Sequence, residues 1–292
     1  MISLPINSDR LSICTVARLA VYFIFSFSNF HLARMIPKHI YQTWKSHDLP
    51  PGICKVIQRF MSINSGWTHH LYDDREIEEF IRVNYPGRVY EAFSSLAIGA
   101  ARADIWRYCV LYKYGGVYLD IDADIQEPLD RLIRADDDAV ITREQVAGLF
   151  NQWILIFSKG HPILKAAIDE CVENVISRTS NNILHLTGST VFTRVLTERL
   201  KSNQLRHKDS KGYGGDLWHS LDTKLEELFN APGKKYRCRF YGIDMNEYAQ
   251  YHNTAFQELY IETPQWETEQ RQRSIFTSGE DTSKYGIDVK NI

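Results

Sequence analysis

The order of apolar and polar positions along this chain changes period several times, and each change marks an element. From Ile36 to Trp44 the positions are apolar and β-prone, bounded by Pro37 and by the loop SHDLPPG (46–52), which predicts a strand and a turn. Ile53, Val56, Ile57, Phe60 and Met61 then form a helical stripe. GWTHHLYDD (66–74) reads as a second strand, and REIEEFIRVNY (75–85) as a second helix closed by Pro86-Gly87. Strand, helix, strand, helix predicts an α/β sheet with parallel crossovers, in which ligands gather at the carboxyl ends of the strands.

The most informative stretch runs from Ser94 to Pro128. Leu96, Ala100, Ala103, Trp106, Val110 and Tyr114 recur by threes and fours and predict an amphipathic helix, stopped by Gly115-Gly116. The period then becomes two. Val117, Leu119, Ile121, Ala123 and Ile125 fall on one strand face, while Tyr118, Asp120, Asp122 and Asp124 fall on the other. Carboxylates lined up this way repel one another unless a cation offsets them or the strand runs into solvent. Residues two apart on a strand are roughly 6.6 Å apart, so joint ligation requires a turn or a bridging water. A hard divalent cation holding a diphosphate fits such a face, and an exposed edge strand is the competing reading. A bare Asp-x-Asp arises by chance, and Asp136-Asp137-Asp138 reads as a solvated loop; the helix, Gly-Gly stop and strand around Asp120-x-Asp122 are what give it weight.

Composition narrows the classes. The 292 residues are 44 % hydrophobic and 24 % charged, with a formal charge of −2, which supports a globular core and leaves no basic excess for nucleic acid. The five cysteines show no Cys-x-x-Cys spacing, so neither a zinc knuckle nor a disulfide scaffold is indicated. Residues 11–30 are apolar but interrupted by Arg18, which fits a marginal signal anchor, a cleaved or untranslated leader, or an amphipathic arm. The favoured expectation is a single-pass anchor of Golgi or cytoplasmic-membrane type, with a cytoplasmic enzyme if translation starts at Met35. The expected organisation is a leader over 1–34, a catalytic domain over 35–262 and a polar tail over 263–292 that is loosely ordered or packs as an acceptor-side arm.

On IPKHIYQTW (36–44), NSGWTHHLYDD (64–74), ARADIWRYCVLYKYGGVYLDIDADI (101–125), NQWILIFSKGHPIL (151–164) and LTGSTVFT (186–193), the chain resembles glycosyltransferase family 32, the DXD proteins that include initiating mannosyltransferases and inositol-phosphoceramide mannosyltransferases. The resemblance implies an α/β GT-A type nucleotide-sugar-binding fold with a mixed central sheet, and retaining transfer of a hexose (mannose, glucose or galactose) to a glycan or glycolipid hydroxyl. It makes Asp120 and Asp122 the metal motif, with Asp122 ligating Mn²⁺ or Mg²⁺ directly and Asp120 contacting the donor ribose or, through water, the metal, and it assigns Asp104 and Arg107 to donor hydroxyls and phosphate respectively. Without it, Asp104 and Arg107 would read as a surface ion pair. Trp44 is a candidate for the donor base or for core packing, and Tyr118 for the pocket wall. Asn64 is a donor-site candidate or a turn former. His252 is the best counterpart of a carboxyl-terminal metal or phosphate histidine, or else a structural histidine. The chain departs from the family at Gly188-Ser189, where Gly-Pro is usual, which puts the acceptor-side geometry in question. No carboxylate nucleophile for double displacement is evident, so the family expectation is front-face attack. Two other readings compete: a nucleotide-sugar- or carbohydrate-binding protein of the same fold without catalysis, and a Mg²⁺-dependent phosphohydrolase, which lacks its usual nucleophilic strand here.

Overall fold

The computed structural model describes residues 35–142, 144, 149–198 and 265–277, and the backbone of the short segments 238–240 and 249–251. Strands β1 (His39–Thr43) and β2 (Thr68–Tyr72) are joined by helix α1 (Pro51–Ile63). Helices α2 (Asp74–Asn84), α3 (Arg88–Ser95) and α4 (Gly99–Tyr114) lead to β3 (Gly116–Leu119) and β4 (Ala123–Ile125). After α5 (Leu129–Leu132) come β5 (Ala139–Ile141), β6 (Ile154–Phe157), α6 (Pro162–Ile176), α7 (Ile183–Leu186) and α8 (Ser189–Glu198). Strands β7 (Cys238–Phe240) and β8 (Ala249–Tyr251) and helix α9 (Trp266–Gln272) complete the described elements.

The main sheet has the order β2-β1-β3-β6-β5-β7, and β4 pairs with β8 in a second, two-stranded sheet. Strand β1 runs parallel to both β2 and β3, whereas β6 is antiparallel to β3 and β5, so the sheet is mixed. Period-two alternation divides its side chains between two cores. Tyr41, Tyr118, Leu155 and Phe157 pack against α4, α6 and α8, and Ile40, Val117, Leu119 and Ile156 pack on the other face with Phe60 of α1 and Leu129 of α5. Each fully buried Ile or Phe contributes about 1.5–3 kcal/mol.

Helix α4 runs through the middle of the molecule. Ile105, Trp106, Tyr108, Cys109, Val110 and Leu111 are all buried, so the helix is enclosed on nearly every side rather than amphipathic. It also begins later than its periodicity suggests. Leu96 and Ile98 are extended, because Leu96 bridges to Phe276 and the Ala97 amide donates to the Ile275 carbonyl at 2.7 Å. Gly115 and Gly116 then turn the chain into β3 with φ of 71° and 116°. A Cβ on Gly116 would stand 2.6 Å from the His39 carbonyl oxygen, so the close approach of β1 to β3 requires glycine there.

The regular strand expected from Val117 to Ile125 is interrupted. The Ala123 amide donates to the Asp120 carbonyl at 3.0 Å, closing a turn over residues 120–123 before β4 begins. The single acidic face is therefore corrected: Asp124 is buried on β4, where Arg59 of α1 donates to its carboxylate and Gln126 binds its other oxygen at 2.6 Å. Asp136-Asp137-Asp138 is corrected in the same way. Asp137 and Asp138 are buried at the entry to β5, with Asp137 accepting from the Arg134 amide at 2.8 Å and the Ser158 amide donating to the Asp138 carbonyl at 2.7 Å.

Residues 265–277, inside the segment expected to be a polar tail, pack onto this domain. Ile275 and Phe276 enter the same core as α4, and the Thr277 amide donates to the Ser95 carbonyl at 2.8 Å. Among the described residues no helix is long and apolar enough to cross a membrane, and the segment 11–30 lies outside them.

Candidate active site

The parallel strands β1, β2 and β3 all end on one edge of the sheet, and a cavity of about 530 Å³ opens there. Trp44 follows β1, Asp74 follows β2, and Asp120, Ile121 and Asp122 follow β3. The turn at 120–123 brings Asp120 and Asp122 to the same cavity, which a straight strand would hold farther apart.

Arg107 organises the floor. Its guanidinium lies 3.1 Å from Asp104 Oδ1 and 3.2 Å from Asp120 Oδ1, donates to the Gln152 carbonyl at 2.9 Å, and covers the Tyr118 ring at 4.5 Å. The pair, which without the family resemblance would read as a surface ion pair, is buried, with 7 % of each side chain exposed. Thr187, from the segment after α7, donates to Asp104 Oδ2 at 2.8 Å, and Tyr118 donates its phenol proton to Asp120. Gln152 donates to the Tyr108 hydroxyl at 2.7 Å and to the Thr187 carbonyl at 3.0 Å, which ties the segment before β6, helix α4 and the segment after α7 into one network.

This network sets the charges. Burial pushes the Asp104 carboxyl up to about 6 against the opposing pull of Arg107 and Thr187. Burial alone would lower the Arg107 guanidinium, but Asp120, Tyr118 and Asp104 overcome it and hold the group firmly protonated. Glu144, on the loop after β5, also lines the cavity, and burial together with the Asp120 charge raises it to about 7.

Trp44 packs against Ile53 and Ile121 and also lines the cavity beside Lys45. Tyr118 is almost fully buried beneath Arg107 and lines the floor. Asn64 is a structural residue rather than a donor contact. It is buried, donating to the Phe60 carbonyl at 2.8 Å and accepting from the Leu129 amide at 2.8 Å, which fixes α5 against α1. His252 lies outside the described residues. Gly188 packs against α7 so closely that a Cβ would meet the Leu184 Cα at 2.7 Å, and with Ser189 it forms part of the cavity wall.

The donor set at the turn is two carboxylates in a cavity roomy enough for a diphosphate, and such oxygen ligands suit Mg²⁺ or Mn²⁺, which keep waters and substrate oxygens in the remaining positions. Among the described residues, three His, Cys, Asp or Glu ligand atoms come together only at His47, Asp73 and Glu76. There the two carboxylates cap helix α2, each accepting the other residue's amide.

The periodicity did not reveal Thr187, Gln152, Glu144 or the residues of α9 that reach the cavity. Gln152 and Thr187 lie within the segments 151–164 and 186–193 that carry the family resemblance, whereas Glu144 and the residues of α9 come from stretches that carry no such signal.

Residues 50–140 match the family described as the glycosyltransferase sugar-binding region containing the DXD motif. The chain is 32 % identical over 209 residues to inositol phosphoceramide mannosyltransferase 1 of Schizosaccharomyces pombe, covering 65 % of this chain and 64 % of that protein. It is 35 % identical over 129 residues to inositol phosphoceramide mannosyltransferase 3 of the same yeast, covering 44 % of this chain and 35 % of that one. With the initiation-specific alpha-1,6-mannosyltransferase of Candida albicans the identity is 23 % over 211 residues, covering 58 % and 54 %. The chain thus spans between about one third and two thirds of the length of these relatives. Among solved structures it resembles the PaToxG glycosyltransferase, with a TM-score of 0.50 at 18 % identity over 75 % of this chain and 89 % of that one. The mixed sheet with its site at the end of β3 is the GT-A type of fold.

Proposed function

We propose that this chain, whose residues 50–140 belong to the glycosyltransferases with a DXD sugar-binding region, moves mannose from a nucleotide-mannose donor to a hydroxyl of a glycolipid or glycan. The supporting observation is the convergence of Asp120, Asp122 and the buried Asp104–Arg107 pair on one cavity at the carboxyl edge of β1 and β3. Mannose as the sugar and a glycolipid as the acceptor follow the names of the relatives. Membrane association through residues 11–30 belongs to the same reading.

Transfer breaks the bond between the anomeric carbon and the diphosphate oxygen and forms one to the acceptor oxygen, whose proton leaves with it. Asp120 and Asp122 would hold a divalent cation, Mn²⁺ or Mg²⁺, which stabilises the charge gathering on the departing diphosphate. Arg107 adds a fixed positive charge to the same floor, and Asp104 and Tyr118 hold its guanidinium in place. Trp44 offers an aromatic face at the end of β1 for the base. Retention follows the family, with the acceptor entering from the side the diphosphate leaves and the leaving oxygen taking the proton.

Incubating the full chain with GDP-mannose, UDP-glucose and UDP-galactose in the presence of Mn²⁺ tests the reading. Donor turnover is expected with GDP-mannose, and Asp122→Asn should lower kcat by about 10²–10³-fold while the chain remains folded. Tight donor binding without turnover would make the protein a binding module. Full activity in Asp122→Asn would overturn the assignment of the motif.

A further inference from the structure

Antiparallel pairing carries the sheet edge of the cavity beyond β3. Leu119 of β3 pairs with Ile154 of β6, and Val140 of β5 pairs with Ile156, so the start of β6 and the end of β5 lie on the same edge as the ends of β1 and β3. The order along that edge is Trp44 after β1, Asp120 and Asp122 after β3, Trp153 before β6 and Glu144 after β5, and all of them line the cavity. Neighbouring strands are about 4.8 Å apart, which puts roughly 10 Å between the strand ends that carry the aspartates and Glu144, enough for one hexose ring.

The backbone fixes Glu144 in this place. The Asn151 amide donates to the Thr142 carbonyl at 2.8 Å, the Glu144 amide donates to the Leu149 carbonyl at 2.9 Å, and the Asn151 side-chain amide donates to Thr142 Oγ1 at 2.8 Å, so the pairing of β5 with β6 continues past the strands to the glutamate. Its half-buried carboxylate makes no hydrogen bond or ion pair with any described residue, and the neighbouring charge it meets is the like charge of Asp120. It does not join the Asp-x-Asp pair as a third ligand, because the ligand atoms of Asp120, Asp122 and Glu144 do not gather within the 4.8 Å that unites His47, Asp73 and Glu76. Asp104, the carboxylate beneath the motif, has both oxygens engaged, one by Arg107 and the other by Thr187. A carboxylate held partly out of water beside another anion is costly until it receives hydrogen-bond donors. A phosphate at Glu144 would add more negative charge, whereas sugar hydroxyls donate to an ionised carboxylate in charge-assisted hydrogen bonds.

The geometry points to Glu144 as the residue that accepts hydrogen bonds from hydroxyls of the donor sugar, at the β5 end of a donor laid along the sheet edge with its base at Trp44 and its diphosphate at Asp120 and Asp122. The inference rests on the glycosyl-transfer reading and deepens it, by naming a side chain that recognises the transferred ring rather than the nucleotide.

Calorimetry on the full chain with Mn²⁺ tests this, using GDP-mannose, UDP-glucose and UDP-galactose together with GDP and UDP, and comparing the donor that the wild-type chain binds with its own free diphosphate. Glu144→Ala should weaken that donor by at least about tenfold, and Glu144→Gln, which keeps the shape and one accepting oxygen, by about threefold, while the free diphosphate stays within about twofold in both. Thermal unfolding of the ligand-free chain at pH 8 adds a readout that a structural role would move the other way: Glu144→Gln should raise the melting temperature by a few degrees, because it removes the repulsion from Asp120. Equal losses for the donor and the free diphosphate would make Glu144 part of the metal or diphosphate site and overturn the inference. Unchanged donor binding in Glu144→Ala, or a Glu144→Gln chain that melts below the wild type, overturns it as well. So does a wild-type chain that binds a free diphosphate but none of the three donors. Failure to bind either diphosphate counts against the glycosyl-transfer reading itself and takes this inference with it, so the diphosphate arm tells the two failures apart.

Discussion

Replacing Arg107 by methionine keeps most of the side-chain volume and removes the charge around which the floor of the cavity is built. The guanidinium satisfies Asp104 and Asp120 at 3.1 and 3.2 Å, binds the Gln152 carbonyl at 2.9 Å and covers Tyr118. Removing one partner of a buried ion pair costs about 3–5 kcal/mol, because the other charge is left without compensation. At about 2–4 °C per kcal/mol for a chain of this size, the melting temperature should fall by about 10 °C at pH 8. The sign of the pH dependence follows from Asp104. Its carboxyl is raised from 3.8 to about 6, so the folded chain holds this proton over a window in which the unfolded chain has lost it, and stability from this group falls as pH rises through that window. Without Arg107, which pulls the carboxyl down, the window extends to higher pH. Inside it, at pH 5, protonated Asp104 needs no cation, and the cost of Arg107→Met should shrink to about 2 kcal/mol, the loss of the remaining charge-assisted contacts. Urea unfolding of both proteins at pH 5 and pH 8 measures the difference. At pH 8, Asp104→Asn combined with Arg107→Met should be at least about 1 kcal/mol more stable than Arg107→Met alone, since asparagine leaves no buried charge. A cost below about 1 kcal/mol, or one equal at the two pH values, would refute the account of the floor as a charge-balanced buried network.

Thr187→Val removes the hydroxyl that stabilises ionised Asp104; the carboxyl should move further up, and urea unfolding at pH 8 should register a loss of about 1–2 kcal/mol. Gly116→Ala forces a Cβ against the His39 carbonyl at a φ of 116°, and a destabilisation of more than about 1 kcal/mol is expected in the same assay. Asp124→Asn breaks the Arg59 ion pair of β4, which lies apart from the cavity lining, and should lower the melting temperature by a few degrees while leaving the affinity for Mn²⁺, measured by calorimetry, within about threefold.

Local pattern was enough for the elements whose signal is local. The 3.6-residue stripe of α1, the helix Asp74–Asn84 with its Asp73 and Glu76 capping box, and the alternation of β3 after two glycines all follow from neighbouring residues. The break at Leu96–Ile98 did not follow, because it is imposed by Ile275 and Phe276 from a segment nearly two hundred residues later. The division of the acidic run was equally hidden. Asp120 and Asp122 are turned toward the cavity while Asp124 is drawn to Arg59, and only the packing of α1 against β4 separates them.

By itself, then, the order of residues determined the α/β architecture, the helix that precedes β3 and the placing of an Asp-x-Asp at a strand end, since period, glycine stops and strand propensity act within a few residues. The tertiary structure alone decided that Asp104 and Arg107 are a buried pair rather than a surface one, that Thr187 and Gln152 complete their hydrogen bonds, and that α9 closes a wall of the cavity. The i,i+3 spacing of Asp104 and Arg107 is the same at a surface and in a core. What distinguishes the two is the loss of water, and water is excluded here by β6, α6 and α8, which the chain supplies only after the motif has ended.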